Sequence, residues 1–478
     1  MERKLMGLKI VKLYKNDKFI GKILLLGGTG FIGNRVGLHL VSLGYEIVVL
    51  TREIKTNGEL SFPCTQIYWD YQSPIQDSVG SDYKAAINLA GETVAKGRWD
   101  KKKKSAILNS RIKATTFATQ FSNSKKIPKL IQASAVGYYG DTGNDSVEET
   151  SVPGTDFLAD VCQAWEKPLE HLNESTKSTV MRFGLVLGLE GGAFLEMLLP
   201  YSMGVGAKLG AGKNYCPWIH VDDVSKFIEK SLDSTSYEGV FNLVAPELIT
   251  YERLHNELTK RLGGFSFARV PASLIKLMLG EKSSLFTTNQ KVSSKNLSKA
   301  GFDFNYKSID EALNSLIGEN SKGLYFIKST QWVQSDLAST WDFFLKGDSL
   351  HKITPPNIKL ESQSKSTNEI EKGTLINYRL KIRGFPLNWK TLIEDLIPLK
   401  SFKDVQLKGP YKLWHHEHRF SELANGTLIE DLVKFKVPFG SFGRLISLGI
   451  VKHDVNKIFA FRRKIVEQTL NMKETTNV

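Results

Sequence analysis

The residue pattern with the clearest chemical meaning is a run of glycines near the start of the chain. Residues 27–33 read Gly-Gly-Thr-Gly-Phe-Ile-Gly, with Gly27, Gly30 and Gly33 at every third position. Glycine at these positions allows backbone N–H groups to approach a pyrophosphate, which a side chain would block. A helix that begins in this run would also direct its free N–H groups and its dipole at the phosphates. The spacing therefore predicts a dinucleotide-binding loop between a strand and a helix.

A cationic residue further along indicates which dinucleotide this loop would bind. Residues 46–50 have the composition of a second strand, and Thr51 and Arg52 follow it. Proteins that bind NAD usually place an acidic residue there, which holds the ribose 2′-hydroxyl. Arg52 can instead pair with a 2′-phosphate. We therefore expect a preference for NADP(H), while NAD(H) stays possible because the acidic Glu53 follows directly.

The elements that must position these residues can be read from the hydrophobic pattern. Short apolar runs alternate with segments of helical spacing up to about residue 246. This alternation is typical of a doubly wound parallel sheet, so it predicts the α/β class with a Rossmann arrangement. The predicted strands cover residues 23–26, 46–50, 85–89, 129–133, 179–182 and 237–243, and the predicted helices cover residues 32–43, 99–121 and 157–172.

The length of the chain indicates several domains, because 478 residues exceed the size of one compact core. We expect an N-terminal extension over residues 1–20 and an NADP-binding Rossmann domain over residues 21–246. A small, mostly helical segment would follow over residues 247–318. Residues 324–470 read as an α+β domain, in which alternating segments precede one long helix with an apolar stripe. An antiparallel sheet around that C-terminal helix is the expected packing.

The composition limits the possible partners and locations. The formal net charge is +14, but the lysine run at residues 101–104 has no interleaved aromatic residues, so no nucleic-acid partner is expected. No uncharged apolar stretch is long enough to span a bilayer, and the first residues lack a signal-peptide core. Three separate cysteines predict neither disulfides nor a zinc ribbon. We expect a cytoplasmic protein, whose oligomeric state cannot be read from the sequence.

Several motifs in the same order resemble a known superfamily. They are the glycine loop, the segment Asn88-Leu89-Ala90-Gly91, residues 134–140 and residues 217–223. Together they are similar to the extended short-chain dehydrogenases/reductases, and more narrowly to an atypical branch of epimerase-family proteins with a small C-terminal segment. The resemblance covers about residues 21–318. It implies that the cofactor contacts Gly27, Thr29, Gly30, Phe31, Ile32, Gly33, Arg52, Leu89 and Ala90.

The catalytic residues of that superfamily are only partly present. Members that transfer hydride use a Tyr to move a proton, a Lys four residues later that lowers the Tyr pKa, and a Ser that polarises the substrate carbonyl. Ser134 matches the serine, whereas Leu158 and Cys162 stand at the positions of the Tyr and the Lys. Tyr138 and Tyr139 follow Ser134 closely. They are candidate proton donors, with packing or lining of the pocket as the alternative role.

Other polar residues of this region are expected to have structural roles. Arg111 stands where the superfamily usually has an Asn. Cys162 has no His or Lys beside it in the sequence, which indicates an inert buried thiol rather than a nucleophile. After His220, Asp222 or Asp223 is expected to cap a helix and not to complete a triad or a metal site.

The C-terminal region carries a second resemblance. Its sheet–helix order, Gly-Pro-Tyr at residues 409–411 and Trp-His-His-Glu-His at residues 414–418 resemble the helix-grip superfamily of START-like and polyketide-cyclase-like proteins. That resemblance implies an apolar cavity for a hydrophobic ligand. His416 and His418 share one strand face, as metal ligands can. Two such histidines without a nearby set of carboxylates do not predict a metal site, and none is expected.

These observations support two functions. The first is an NADP-dependent oxidoreductase or epimerase that acts on a small or apolar substrate, which the C-terminal domain binds or shields. The second is a non-catalytic carrier or regulator, in which NADP(H) binding biases the conformation of a hydrophobic-ligand domain. The glycine loop and Ser134 favour the enzyme, whereas the missing Tyr and Lys favour the carrier.

Overall fold

A computed structural model describes most of the chain. The described residues are 10–11, 19–55, 59–70, 79–264, 269–346, 352–355, 358–367, 369–382, 385–438 and 440–471. Most of the predicted N-terminal extension lies outside them.

An eight-stranded sheet forms the centre of the N-terminal part. Seven strands are parallel, and the short strand Ile10–Val11 pairs antiparallel with one edge strand. The chain winds from the first parallel strand to one edge and then to the other, which is the strand order of a Rossmann fold. The predicted fold class is therefore confirmed. In spatial order the strands are Ile10–Val11, Thr65–Tyr68, Tyr45–Thr51, Gly21–Leu26, Ala85–Asn88, Lys129–Ala135, Lys177–Phe183 and Gly239–Leu243.

Helices cover both faces of this sheet because its central strand is apolar on both faces. In the strand Gly21–Leu26, Ile23 packs with the helix Phe31–Ser42, and Leu24 packs with the long helix Lys101–Lys125. Further helices of this part are Phe157–Glu166, Gly192–Ser202 and Val221–Asp233. Short parallel strand pairs join Leu185–Leu187 with Trp218–His220, Ser146–Val147 with Lys291–Val292, and Lys208–Leu209 with Arg269–Val270.

One predicted helix is shorter than expected. The helical spacing predicts residues 157–172, but the α-helix ends at Glu166 and a 3-10 turn, Lys167–His171, follows it. Pro168 explains the change, because proline lacks the N–H that would continue the α-helical bonding.

The segment after the Rossmann sheet is mostly helical and packs beside the loop that follows Ser134. Gln290 Nε2 donates to the carbonyl oxygens of Val136 and Gly140, both at 3.0 Å. This segment therefore supports the loop that contains the two candidate tyrosines. Its helices are Tyr251–Leu262, Ala272–Leu279, Ser284–Thr287, Lys295–Lys299 and Ile309–Ile317.

The C-terminal part is a seven-stranded antiparallel sheet with a long helix against it. Val455 and Phe459 of the helix Gly440–Asn471 pack in one apolar cluster with Val433 and Phe435 of the sheet. The predicted antiparallel sheet and final helix are confirmed. In spatial order the strands are Tyr325–Val333, Gly426–Lys436, Leu413–Leu423, Ser401–Lys408, Phe385–Ile397, Leu375–Ile382 and Ile358–Lys365, and a short helix covers Leu337–Leu345. Over the described residues, every helix is too short or too polar to cross a bilayer.

Candidate functional site

The glycine loop connects the central strand with the helix Phe31–Ser42 at the carboxyl edge of the parallel sheet. Gly27 has φ +80, and a Cβ there would lie 2.7 Å from the carbonyl carbon of Leu89. A Cβ on Gly33 would lie 2.1 Å from the carbonyl oxygen of Gly27. These two glycines are therefore required by close backbone packing, which brings the loop against the Leu89–Ala90 strand end.

Gly30 is less restricted by its surroundings than Gly27 and Gly33 are. Its φ of −81 suits any residue, and a Cβ there would meet only the carbonyl oxygen of Gly27, at 3.3 Å. The helix after Gly30 begins without a side-chain cap and without an acidic residue in its first turn. Its first N–H groups therefore face an open space that suits an anion, and a dinucleotide pyrophosphate fits this site.

The residues at the end of the second strand place a cation beside this edge. Arg52 is exposed and lies close enough to Glu92 to lower the pKa of that carboxyl, after the larger effect of the Lys103 hydrogen bond. The acidic neighbour Glu53 pairs instead with Lys55, at 2.8 Å. The Arg52 guanidinium is thus an exposed cation at this strand end, and the Glu53 carboxylate forms an ion pair with Lys55.

Ser134 lies at the end of a buried strand and belongs to a polar network that the sequence did not reveal. Its Oγ donates to Glu166 Oε1 at 2.6 Å. Glu166 also forms a two-point ion pair with Arg182, in which Nε and Nη2 lie 2.9 and 2.8 Å from the two carboxylate oxygens. Arg182 comes from the next strand of the sheet. The network holds a hydroxyl, a carboxylate and a guanidinium together at the strand ends.

The two candidate tyrosines lie in the same network but differ in exposure. Tyr139 is buried, donates to Asn242 Oδ1 at 2.7 Å and accepts from Arg182 Nη1 at 2.9 Å. Burial raises the pKa of Tyr139, although the Arg182 charge opposes this effect. Tyr138 is only half-buried, and the Arg182 guanidinium lies 3.4 Å from its ring centroid. Tyr139 thus has its hydroxyl bonded within the protein, while Tyr138 has part of its surface exposed.

Leu158 and Cys162, which are predicted to stand at the positions of the superfamily's Tyr and Lys, lie on the helix Phe157–Glu166. A Cβ on Gly137 would lie 3.3 Å from Leu158 Cβ and 3.8 Å from Cys162 Sγ, so both side chains face the loop after Ser134. Burial raises the pKa of Cys162 to about 12, which keeps its thiol protonated. Neither residue can move a proton at neutral pH, and the superfamily's usual acid–base pair has no replacement at these two positions.

Arg111 supports a loop instead of a substrate. Its Nη1 donates to the carbonyl oxygens of Glu92 and Ile107 at 2.9 and 3.0 Å, and its guanidinium stacks on the Trp165 ring at 4.6 Å. It therefore holds the segment that follows Leu89 and Ala90 in position.

The prediction that Asp222 or Asp223 caps a helix was wrong. His220 is the N-cap of the helix Val221–Asp233, and its Nδ1 accepts from the Asp222 N–H. Asp222 pairs with Arg35 at 2.7 Å, and Asp223 accepts from the backbone N–H groups of Asn305 and Tyr306. The carboxylates point to partners distant in sequence, which a local capping pattern cannot reveal.

The C-terminal sheet lies directly beside the glycine loop. Lys328 of its edge strand pairs with Glu190 at 2.6 Å, and Ser61 Oγ donates to the Thr330 carbonyl oxygen at 3.2 Å. A gap of about 150 Å³ separates the two parts. Residues lining it include Thr29, Gly30 and Phe31 on the Rossmann side and Lys328, Ser329, Thr330 and Arg463 on the C-terminal side.

A larger cavity, of about 250 Å³, lies inside the C-terminal part between the sheet and the final helix. Its lining is mainly aromatic and aliphatic, and includes Phe344, Ile376, Trp389, Ile393, Trp414 and Phe459. Asp404, His416, His418 and Arg462 also line it, so one region of an otherwise apolar wall is polar. A cavity of this kind suits an apolar molecule with a polar group.

The sheet order and the glycine loop define a Rossmann-type protein of the dinucleotide-binding class. A model of the NAD dependent epimerase/dehydratase family matches residues 23–243, and a domain of unknown function, DUF1731, matches residues 270–316. The chain is 33% identical over 302 residues to "Epimerase family protein SDR39U1 homolog, chloroplastic" of Arabidopsis thaliana, which covers 61% of this chain and 85% of that protein. It is 32% identical to "Epimerase family protein YfhF" of Bacillus subtilis, over 62% of this chain and 98% of that protein. The chain belongs to this epimerase family.

Solved structures agree with this assignment. Human epimerase family protein SDR39U1, crystallised with NADPH, superposes with a TM-score of 0.55 and 27% identity, over 63% of this chain and 99% of that chain. A nucleoside-diphosphate sugar epimerase from Corynebacterium glutamicum has a TM-score of 0.51 at 24% identity, over 63% of this chain and 59% of that chain. The second match supports the fold alone.

Proposed function

We propose that this chain is an NADP(H)-binding epimerase or oxidoreductase of unusual active-site composition, with an appended START-like domain that binds a hydrophobic ligand. The observation that carries the proposal is the helix start after Gly30, which has neither a side-chain cap nor an acidic residue in its first turn and lines an open gap. A pyrophosphate above the uncapped helix gives a reason for glycine at this position. The human relative crystallised with NADPH supports the choice of cofactor.

The proposed cofactor contacts are the loop residues Gly27 to Gly33, the strand end Leu89–Ala90 and Arg52. Arg52 would pair with the 2′-phosphate, because it is an exposed guanidinium directly after the second strand of the Rossmann sheet. NADP(H) supplies hydride chemistry when it is bound. The protein's own contribution at the reacting end would come from Ser134, whose hydroxyl can turn from Glu166 toward a substrate oxygen.

Tyr138 is the better of the two candidate proton donors, because Tyr139 already donates its hydroxyl proton to Asn242. The Arg182 guanidinium packs over the Tyr138 ring, 3.4 Å from its centroid, and holds the ring in place. The proposed substrate is a small or apolar carbonyl or hydroxyl compound.

Titration calorimetry with matched glycine variants tests the cofactor. Wild-type protein should bind NADPH more tightly than NADH. Gly30→Ala should weaken NADPH binding at least about tenfold while lowering the free energy of unfolding less than Gly33→Ala does, because its Cβ would meet a single backbone oxygen at 3.3 Å. Gly33→Ala should lower both, because its Cβ would collide with the Gly27 carbonyl. Absence of heat with either cofactor in the folded wild type would refute the proposal.

Single-turnover absorbance of NADPH with a panel of carbonyl compounds tests the chemistry. Ser134→Ala and Tyr138→Phe should each slow the turnover that the wild type shows. Cys162→Ser is the matched control, since the thiol is inert and the change keeps its size, and it should leave the rate unchanged. A wild type that binds NADPH but oxidises it with no member of a broad panel would count against an enzyme.

A second candidate function is a non-catalytic sensor, in which NADP(H) controls a hydrophobic-ligand domain. The gap between the glycine loop and the C-terminal sheet favours it, because Thr29 and Gly30 share that gap with Arg463 of the final helix. The neighbouring residue, Arg462, lines the apolar cavity. Consecutive residues of one helix therefore line the two proposed ligand sites.

The sensor makes a different prediction from the enzyme. Saturating NADPH should change the affinity of the cavity for an apolar fluorescent probe, and Arg463→Gln should reduce that change. Equal probe affinity with and without NADPH would remove this candidate, while leaving the enzyme open to the turnover experiment.

A further inference from the structure

The polar side of the C-terminal cavity contains two histidines and two carboxylates that come from four separate positions in the sequence. His416 and His418 alternate with outward-facing residues on one strand, so both rings face the cavity. Asp404 comes from the neighbouring strand and Asp431 from the strand on the other side. All four residues are largely buried, and Asp404, His416 and His418 line the cavity directly.

Each imidazole has one ring nitrogen close to Asp404 and the other close to Asp431. Toward the cavity, His416 Nδ1 and His418 Nε2 lie 3.5 and 3.2 Å from the same oxygen, Asp404 Oδ2. On the other side, His416 Nε2 and His418 Nδ1 lie 3.1 and 2.8 Å from Asp431 Oδ1. The two histidines are thus held between a carboxylate at the cavity and a carboxylate behind it.

A count of protons shows that this arrangement is incomplete. A neutral imidazole carries one N–H, and an ionised carboxylate only accepts. If both rings donate to Asp431, then His416 Nδ1, His418 Nε2 and Asp404 Oδ2 are three acceptors that converge with no donor between them. If Arg462 donates to the rings instead, through Nη2 at 3.0 Å from His418 Nδ1 and Nη1 at 3.5 Å from His416 Nε2, both rings can donate to Asp404 Oδ2. Asp431 Oδ1 then accepts from Arg462 but faces two ring nitrogens that carry no proton. In the first arrangement, a cation between the two rings and Asp404 Oδ2 removes the mismatch.

We propose that Asp404, His416 and His418 bind one divalent transition-metal ion. One ligand atom from each residue lies within 4.8 Å of the others. Zinc–nitrogen and zinc–oxygen bonds of about 2.0–2.2 Å in a tetrahedron place ligand atoms about 3.3 Å apart, and the two distances to Asp404 Oδ2 agree with this. Three protein ligands leave a fourth position, which faces the cavity.

The surroundings match those of known metal sites. Metal-binding histidines usually donate their second N–H to a carboxylate, which fixes the tautomer and the ring orientation, and Asp431 is placed to accept from both rings. Arg462 Nη2 lies 2.9 Å from Asp431 and neutralises the charge of that carboxylate. The summed formal charge of Asp404, Asp431 and Arg462 is then −1, and a divalent ion changes this charge to +1. The fourth position should therefore prefer an anionic oxygen, carried by water as hydroxide or by an apolar ligand as a carboxylate or an enolate.

Metal binding by the full-length protein, stripped with a chelator and assayed without NADPH, tests the site. Zn²⁺ titrated in competition with a chromophoric chelator should bind with one ion per chain, and Co²⁺ should give visible absorption bands of a low-coordinate site. His418→Gln and Asp404→Asn should each abolish stoichiometric binding. His415→Gln is the matched control, because His415 lies on the same strand but points to the opposite face, and it should bind like the wild type.

A variant of Asp431, which lies behind the proposed ligands, allows an independent measurement. Asp431→Asn should keep the stoichiometry but weaken Zn²⁺ binding about 10- to 100-fold, as expected for a residue that orients metal-bound histidines. Far-UV circular dichroism of every variant separates loss of the site from loss of the fold. Folded wild-type protein that binds neither Zn²⁺ nor Co²⁺ would overturn the proposal and assign the cluster to a hydrogen-bond network around Arg462. Equal binding by wild type and His418→Gln would overturn it as well. Calorimetry with NADPH remains a separate readout, so failure here leaves the cofactor proposal intact.

Discussion

The ion pair between Glu166 and Arg182 should control the stability of the Rossmann part, and its two members should not be equivalent. The exposed fraction of the side chain is 4% for Arg182 and 16% for Glu166. Removal of one partner from a buried pair leaves an uncompensated charge, which costs about 3–5 kcal/mol. Glu166 keeps some contact with water, but Arg182→Met also removes the donor to Tyr139 and to the Glu149 carbonyl oxygen, so its cost should lie in the middle of that range.

Glu166→Leu should cost more, near the upper limit of about 5 kcal/mol, for two reasons. The cation left behind is the more buried member, and Ser134 Oγ loses the carboxylate that it donates to at 2.6 Å. The double variant removes both charges together. It should therefore be at least about 2 kcal/mol more stable than Glu166→Leu alone, because apolar replacement of a buried pair is often close to neutral.

Equilibrium urea unfolding of the four proteins, followed by far-UV circular dichroism and tryptophan fluorescence, gives the coupling energy as a double-mutant cycle. The exposed pair between Lys295 and Glu148, with side chains 49% and 41% exposed, is the matched control. Its cycle should give less than about 1 kcal/mol. If the effects of Arg182→Met and Glu166→Leu simply add, the two charges do not compensate each other and the reasoning fails.

Three further predictions follow from other parts of the structure. Burial lowers the pKa of His220 to about 4, so the unfolded chain takes up a proton there between pH 6.5 and pH 4 that the folded chain does not, and stability falls as the pH falls. From pH 7.5 to pH 5 the free energy of unfolding should fall by about 2 kcal/mol because of this group. His220→Asn should abolish that decrease, which urea unfolding at the two pH values would measure. Arg52→Glu should weaken NADPH binding about 10- to 100-fold and leave NADH binding equal or stronger, measured by calorimetry, because a charge-assisted hydrogen bond contributes about 1.5–3 kcal/mol. Thr391→Phe should reduce the affinity of an apolar fluorescent probe for the C-terminal cavity without loss of the fold; unchanged affinity would place the probe elsewhere.

The parts of the site that the sequence predicted are those formed by neighbouring residues. The glycine loop needs only a strand, seven residues and a helix, so its position was readable. The network of Ser134, Glu166 and Arg182 was missed because its members are 16 and 32 residues apart and meet only when two strands and a helix are packed. Once Ser134 had been matched, a buried acidic residue on the following helix was the available signal.

In the C-terminal domain, too, the sequence predicted only the local part of the polar cluster. Strand alternation placed His416 and His418 on one face, but the absence of a local carboxylate argued against a metal. The strand Ser401–Lys408 was not predicted, because Asp404 occupies an inward-facing position where the alternation rule expects an apolar residue. The residue that weakened the strand signal is thus the one that completes the proposed metal site.

The proposed coupling between the NADPH site and the C-terminal cavity can be tested by measuring how each ligand changes the affinity for the other. Arg462 contacts the cavity cluster and Arg463 lines the gap beside the glycine loop, on one helix whose Arg463 carbonyl accepts from Gln331 at 2.8 Å. If NADPH changes the affinity of the cavity for a probe by some factor, the probe must change the affinity for NADPH by the same factor. If the probe instead competed with NADPH for the same surface, the two effects would also be reciprocal. Thr391→Phe, which changes only the cavity, would then leave the effect of NADPH on probe binding in place. Loss of both effects in this cavity variant, together with their reduction by Arg463→Gln, would establish coupling through the helix. Full persistence of both effects in Arg463→Gln would rule out this route.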